Sequence, residues 1–157
     1  MADLKVGDQA PEINAKDENG NNFSLSAHKG KKVVLYFYPK DSTPGCTAQA
    51  CNLKDNYAEL QKRGYEVVGV SADDEAKHQK FISKYDLPFT LLADTDKKVI
   101  QDYGVWGLKK FMGKEFMGIL RTTFIVGMDG KIKHVIDKVK TKSHHEDVVE
   151  LLRALKG

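Results

Sequence analysis

The six consecutive residues Val33-Val34-Leu35-Tyr36-Phe37-Tyr38 constrain this chain more than any other stretch. Branched and aromatic side chains at this density and over this length specify a strand. The run offers no polar face, so both sides of the strand must be buried, which places it centrally in a sheet covered by other layers. The next residues are equally constrained. Pro39 ends the run, and Asp41-Ser42-Thr43-Pro44-Gly45 leads into the start of a helix. Thr43 suits the N-cap, Pro44 the first helical position, and Gly45 leaves the backbone open to a ligand.

The rest of the chain alternates strand-like and helix-like segments, with no internal repeat, linker or low-complexity stretch. Asn19-Gly20 predicts the turn of an N-terminal hairpin. From Pro44 to Arg63, the residues Ala50, Leu53, Tyr57 and Leu60 fall at helical spacing, and Gly64 stops the helix. Glu66–Ser71 reads as a second buried strand, Asp74–Tyr85 as a helix closed before Leu87-Pro88, and Thr90–Ala93 as a third strand. A brief helix over Lys97–Tyr103 comes next. Thr122–Val126 and Ile132–Ile136 flank Asp129-Gly130 and read as a hairpin. A C-terminal helix is expected from Ser143, with Val148, Leu151 and Leu152 on its apolar face. The pattern specifies an α/β fold with a central mixed sheet flanked by helices, in one domain spanning 1–157.

Composition removes several function classes. Lysine and arginine number 25 against 22 acidic residues, a net charge of +3 spread evenly along the chain. That balance argues against a nucleic-acid or membrane surface as partner. No run approaches the ~20 apolar residues that span a bilayer. Met1-Ala2-Asp3-Leu4-Lys5 lacks the basic-then-apolar pattern of a secretory leader, so a cytoplasmic protein is expected. In that compartment paired cysteines more often serve catalysis or metal binding than structure.

The chain has two cysteines, Cys46 and Cys51. Cys46 stands at the predicted helix start, where unpaired backbone N–H groups and the helix dipole favour a thiolate, the reactive form of the side chain. Three readings compete for the pair. A closed zinc site needs four ligands in short paired spacings, and none of the five histidines lies at motif distance. His144-His145 is most simply a solvated helix start. A thioredoxin-like disulfide reductase normally uses two intervening residues, whereas four separate Cys46 from Cys51. The third reading is a peroxidase with an attacking and a resolving cysteine. On one helix, five residues give ~7.5 Å of rise and ~140° of rotation, placing the Cα atoms ~8.5 Å apart. A disulfide requires roughly 4.4–6.8 Å, so the pair can close only if the helix start unwinds. Spacing also leaves Cys51 open to a plainer role, a small hydrophobe on a buried helix face.

Longer motifs resolve more. Pro39-x-x-x-Thr43-x-x-Cys46 resembles the peroxiredoxin active-site motif. Tyr36-Phe37-Tyr38-Pro39-Lys40 followed by Thr43-Pro44-Gly45-Cys46-Thr47 resembles the bacterioferritin comigratory protein (PrxQ) branch. Val105-Trp106-Gly107, Phe111-Met112-Gly113-Lys114 and Gly118-Ile119-Leu120-Arg121-Thr122-Thr123-Phe124 extend that likeness along essentially the whole chain. The resemblance implies a thioredoxin-like fold with an N-terminal extension and an insertion. It implies reduction of hydrogen peroxide and organic hydroperoxides, with thioredoxin or a related dithiol protein as donor. Many members of the branch are monomers, so a monomer is expected. Carried over by motif, Cys46 is the peroxidatic cysteine and Cys51 the resolving one. Thr43 would hydrogen-bond the peroxide or the thiolate, Pro39 would shield the site, Gly45 and Cys46 would border the substrate, and Arg121 would stabilise developing charge. Many relatives carry Glu in place of Gln49 and Arg in place of Lys54, so no role resting on a negative charge at residue 49 transfers.

The implied chemistry needs no metal, flavin or haem. It does need more than a thiolate. A cysteine of ordinary pKa is ~3% ionised at pH 7, so full ionisation gains at most ~30-fold, about 2 kcal/mol of barrier. The larger contribution must come from donors aimed at the O–O bond as it breaks. The bland alternatives are clear: Thr43 as a cap only, Pro39 as a strand end, Arg121 as a surface charge. Trp106, Phe111, Met112 and Phe116 read as core or as a loop packed on the domain. Lys97-Lys98 and Lys109-Lys110 read as solvated faces. A thioredoxin-fold binding or chaperone module with incidental cysteines is the rival outside redox chemistry.

Overall fold

The computed structural model describes residues 4–28 and 30–137. The expected C-terminal helix and His144-His145 lie outside the described residues. A seven-stranded mixed sheet organises the rest, built from β1 (Asn14–Lys16), β2 (Asn22–Ser24), β3 (Lys32–Phe37), β4 (Tyr65–Ser71), β5 (Thr90–Ala93), β8 (Thr122–Val126) and β9 (Ile132–Ile136), in the order β2-β1-β5-β4-β3-β8-β9. β3 runs parallel to β4 and antiparallel to β8, and β4 runs parallel to β5. The helices are α1 (Pro44–Asp55), α2 (Tyr57–Lys62), α3 (Glu75–Tyr85) and α4 (Lys98–Asp102). No helix among the described residues is long and apolar enough to cross a membrane.

The apolar run behaves as its composition requires. Val33, Leu35 and Phe37 enter one core with Val68, Val70, Leu92, Ile100, Tyr103 and Phe124. Val34, Tyr36 and Tyr38 enter the other, with Ala50, Leu53, Phe81, Leu91 and Cys46. The strand thus forms the boundary between two cores, fixed by period-2 alternation. Its register leaves little freedom, because a slip of one residue would exchange the two sets.

Three expectations are corrected. The single helix over Pro44–Arg63 is two, broken at Asn56, which has φ −118° and ψ 14°. The Asn56 side chain donates to the Asn52 carbonyl at 3.0 Å, competing for an acceptor of the helix ladder. The stretch after Val105 is neither core nor loop. It is a separate hairpin, β6 (Trp106–Phe111) and β7 (Lys114–Ile119), turned by Met112 and Gly113 at positive φ. Leu108, Met112, Phe116 and Met117 are exposed on it, while Trp106 packs against the first core. Nor is Lys109 simply solvated: it is half-buried and donates to the Ile119 carbonyl at 3.0 Å.

Candidate active site

α1 begins beyond the carboxyl end of β3, so the central strand and its loop deliver Cys46 to the edge of the second core. Thr43 occupies the N-cap with extended backbone (φ −81°, ψ 154°), and its carbonyl accepts from Thr47 N at 2.8 Å. Its side chain does not cap the helix, contrary to the expectation from sequence. The hydroxyl instead donates to the Lys40 carbonyl at 2.9 Å. That bond ties the loop on itself and leaves the oxygen lone pairs of Thr43 as acceptors. Pro44 has no N–H, and those of Gly45 and Cys46 have no carbonyl within the helix to serve.

Arg121 reaches this helix start from 75 residues away because of sheet register. Phe37 pairs with Thr122, so the residue just before β8 stands beside the end of β3. Its Nη2 donates to Cys46 Sγ at 3.2 Å and its Nη1 to Gln49 Oε1 at 2.5 Å. Cys46 and Gln49 lie one helical turn apart and share a face, so the guanidinium fork is held at two points. Gln49 is fully buried. It fixes the cation through a neutral oxygen, in keeping with the lack of a carboxylate there. Lys109 adds a second cation close enough to be felt by Arg121 and Cys46. Burial lowers its pKa, and the Arg121 charge adds to that effect, while negative charge on Cys46 opposes it.

Cys46 is only 1% exposed, so the folded site shields the sulfur almost completely from solvent. Pro39, half-buried, lies just past β3 at the start of the loop. Cys51 is half-buried and lies on the same unbroken helix as Cys46, and both thiols are free. With ideal helix geometry their Cα atoms stand ~8.5 Å apart, beyond disulfide reach. Burial pushes the Cys51 thiol up, and the Asp55 charge adds to the effect while Lys54 opposes it. Folded α1 therefore holds Cys51 as a poorly nucleophilic thiol.

Beside the loop lies a cluster that no local motif announces. Asp41 Oδ1 accepts from the Tyr38 hydroxyl at 2.5 Å, and its Oδ2 meets His78 Nδ1 at 2.6 Å. Asp41 N donates to Asp73 Oδ2 at 2.8 Å, and that oxygen also accepts from Ser71 Oγ at 2.8 Å. His78 Nε2 faces the Leu92 carbonyl at 2.9 Å. Asp41, Asp73 and His78 are all buried.

The chain has clear relatives among known proteins. The AhpC/TSA family model matches residues 6–135. The chain is 48% identical over 153 residues to Peroxiredoxin Bcp of Escherichia coli, covering 98% of each. It is 44% identical over 153 residues to Peroxiredoxin Bcp of Bacillus subtilis, covering 98% of this chain and 96% of the relative. Among solved structures, a cysteine-to-serine variant of Xylella fastidiosa PrxQ superposes with TM-score 0.92 at 27% identity over the full length of both chains. The Xanthomonas campestris bacterioferritin comigratory protein, described for alkyl peroxide reduction, superposes with TM-score 0.89 at 32% identity, again over all of both chains.

Proposed function

The chain belongs to the AhpC/TSA family, in its bacterioferritin comigratory (PrxQ) branch of thioredoxin-fold peroxidases, and from that premise we propose that Cys46 is its attacking sulfur and Cys51 its resolving one. The observation that carries this reading is the Arg121 fork, which meets the Cys46 sulfur at 3.2 Å while Gln49 holds its other arm.

In the first step the Cys46 thiolate attacks one oxygen of a hydroperoxide. The S–O bond forms as the O–O bond breaks, and the other oxygen leaves with the electron pair as hydroxide or alkoxide, later protonated. Arg121 and the helix-start N–H groups stabilise the negative charge as it moves from sulfur to the leaving oxygen. Thr43, whose hydroxyl proton is committed to Lys40, accepts the hydrogen bond of the peroxide O–H and so orients the attacked oxygen. Pro39 keeps water from the loop. Cys46 is left as a sulfenic acid.

In the second step the start of α1 unwinds. Cys51 is released to solvent, where the burial that keeps it protonated is gone, and its sulfur displaces hydroxide from Cys46 to form the disulfide. A dithiol donor of thioredoxin type reduces that bond by exchange, its own two thiols becoming a disulfide. Hydrogen peroxide and organic hydroperoxides both fit the chemistry. A monomer can complete the cycle, since both cysteines come from one helix. Two free thiols also suit a reducing compartment such as the cytoplasm.

The test is NADPH consumption in the presence of thioredoxin, thioredoxin reductase and hydrogen peroxide. The wild type is expected to turn over continuously. Cys51→Ser is expected to keep its first oxidation and lose most steady-state turnover. No consumption above that of the reductase system alone would count against the donor assignment, and undiminished turnover in Cys51→Ser would remove Cys51 from the cycle.

A further inference from the structure

The Asp41–His78 pair joins four elements of the fold at the loop that leads to Cys46. Asp41 belongs to that loop, Tyr38 extends β3, Ser71 and Asp73 lie at the end of β4, His78 stands on α3, and the Leu92 carbonyl belongs to β5. Three potential metal-ligating atoms lie within 4.8 Å of one another here, yet the chemistry is not that of a metal site. Both ring nitrogens of His78 face oxygen acceptors, so both carry protons and neither offers a lone pair. A buried imidazolium paired with a carboxylate is the consistent assignment.

A second observation concerns backbone strain. Ser42, next to Asp41, has φ 63°, in the left-handed region that is sterically disfavoured for a non-glycine residue. Such a conformation persists where its surroundings over-determine it. Asp41 supplies that constraint: its backbone N–H and both carboxylate oxygens are engaged, and all three contacts are buried. Release of Asp41 would let Ser42 relax and shift Thr43 and the first turn of α1.

We propose that protonated His78 is a positioning residue of this peroxidase, clamping Asp41 so that the loop holds Thr43 and Cys46 in the geometry for attack on peroxide. The proposal rests on the reading of Cys46 as the attacking sulfur. Its pH dependence follows from the groups that face the imidazole. Burial opposes the charge on His78, but the hydrogen bond and charge of Asp41, the Leu92 carbonyl and the Asp73 charge together outweigh it, so the pKa lies above the usual 6.5. Tyr38, bonded to the far oxygen of Asp41, stays neutral because burial holds its phenol well above the ordinary range. The contribution of the clamp is therefore complete below pH 6.5 and fades as pH rises through the raised pKa of His78.

The test uses the Cys46→Ser protein, in which the sulfur cannot titrate, so that its outcome is independent of the assignment of the nucleophile. Ring-nitrogen NMR of His78 and amide exchange of residues 41–47 are followed from about pH 6 to 10, with exchange corrected for its intrinsic pH dependence. Both ring nitrogens are expected to be protonated at pH 7. Loop protection should fall by roughly 10- to 100-fold as His78 loses its proton, the scale of one hydrogen bond to a charged group. Asp41→Asn should show the low, high-pH level of protection throughout. A single ring proton at pH 7, or loop protection that does not respond to the titration of His78, would overturn the proposal. If Asp41→Asn does not fold, the pH series on the Cys46→Ser protein decides alone. In the protein with Cys46 intact, Asp41→Asn should slow oxidation of that thiol at pH 7 by a comparable factor, whereas an unchanged rate would deny the loop any positioning role.

Discussion

Arg121→Ala is expected to slow the oxidation of Cys46 by hydrogen peroxide about 100- to 1,000-fold, the usual consequence of removing one preorganised donor to developing charge. Two effects combine. The guanidinium N–H 3.2 Å from the sulfur disappears, and the buried amide oxygen of Gln49 loses the cation it holds. Thiolate formation alone is worth at most ~30-fold, so a loss above that value would assign Arg121 to the O–O cleavage step as well. Arg121→Lys should recover only part of the rate, because one ammonium group cannot bridge Gln49 and the sulfur as the planar fork does. Stopped-flow measurement of thiol loss separates these outcomes, and an Arg121→Ala rate within a fewfold of wild type would deny the residue its role.

Phe37→Ala should destabilise the domain by about 3–5 kcal/mol, as other buried Phe truncations do. Phe37 is fully buried, with ring centroids 5.3 Å from Tyr103 and 5.8 Å from Phe124. At ~2–4 °C per kcal/mol for a chain of this size, the melting temperature should drop by roughly 6–20 °C. Function should suffer with stability. Phe37 pairs with Thr122 across β3 and β8, and this register brings Arg121 to the helix that bears Cys46. Thermal and urea denaturation measure the first effect, and thiol oxidation at low temperature the second. A shift below ~1 kcal/mol would mean that the cavity collapses more completely than the surrounding rings permit.

Much of this molecule is legible before any coordinates are seen, for reasons that are local. Thr90–Ala93, Thr122–Val126 and Ile132–Ile136 are strands at the expected bounds, because short segments, two of them rich in β-branched residues and flanking an Asp-Gly turn, favour strand over helix. The loop and helix start around Cys46 follow from Pro39, Thr43, Pro44 and Gly45, whose backbone preferences act residue by residue. Other features depend on contacts remote in sequence. The break at Asn56 comes from a side chain that competes for the helix ladder, which periodicity does not register. The β6–β7 hairpin carries glycine and lysine among its apolar residues and leaves Leu108 and Met117 in solvent, so it lacks the alternation that marks a strand with one buried face. Gln49 is recognisable as a polar residue one turn after Cys46, but its partnership with Arg121 is set by sheet register. The Asp41–His78 pair spans 37 residues and becomes visible only when α3 packs against β5 and brings His78 to the loop after β3.

The most direct measurement of the two-cysteine cycle is a single turnover. One equivalent of hydrogen peroxide is added to the fully reduced protein, and the state of each cysteine is mapped by peptide mass spectrometry, with amide exchange followed over residues 44–52. The expected product is a Cys46–Cys51 disulfide preceded by a sulfenic acid trappable at Cys46, together with loss of protection at the start of α1. Oxidation of Cys51 while Cys46 stays a free thiol, or peroxide left unconsumed with both thiols intact, would contradict Cys46 as the attacking sulfur.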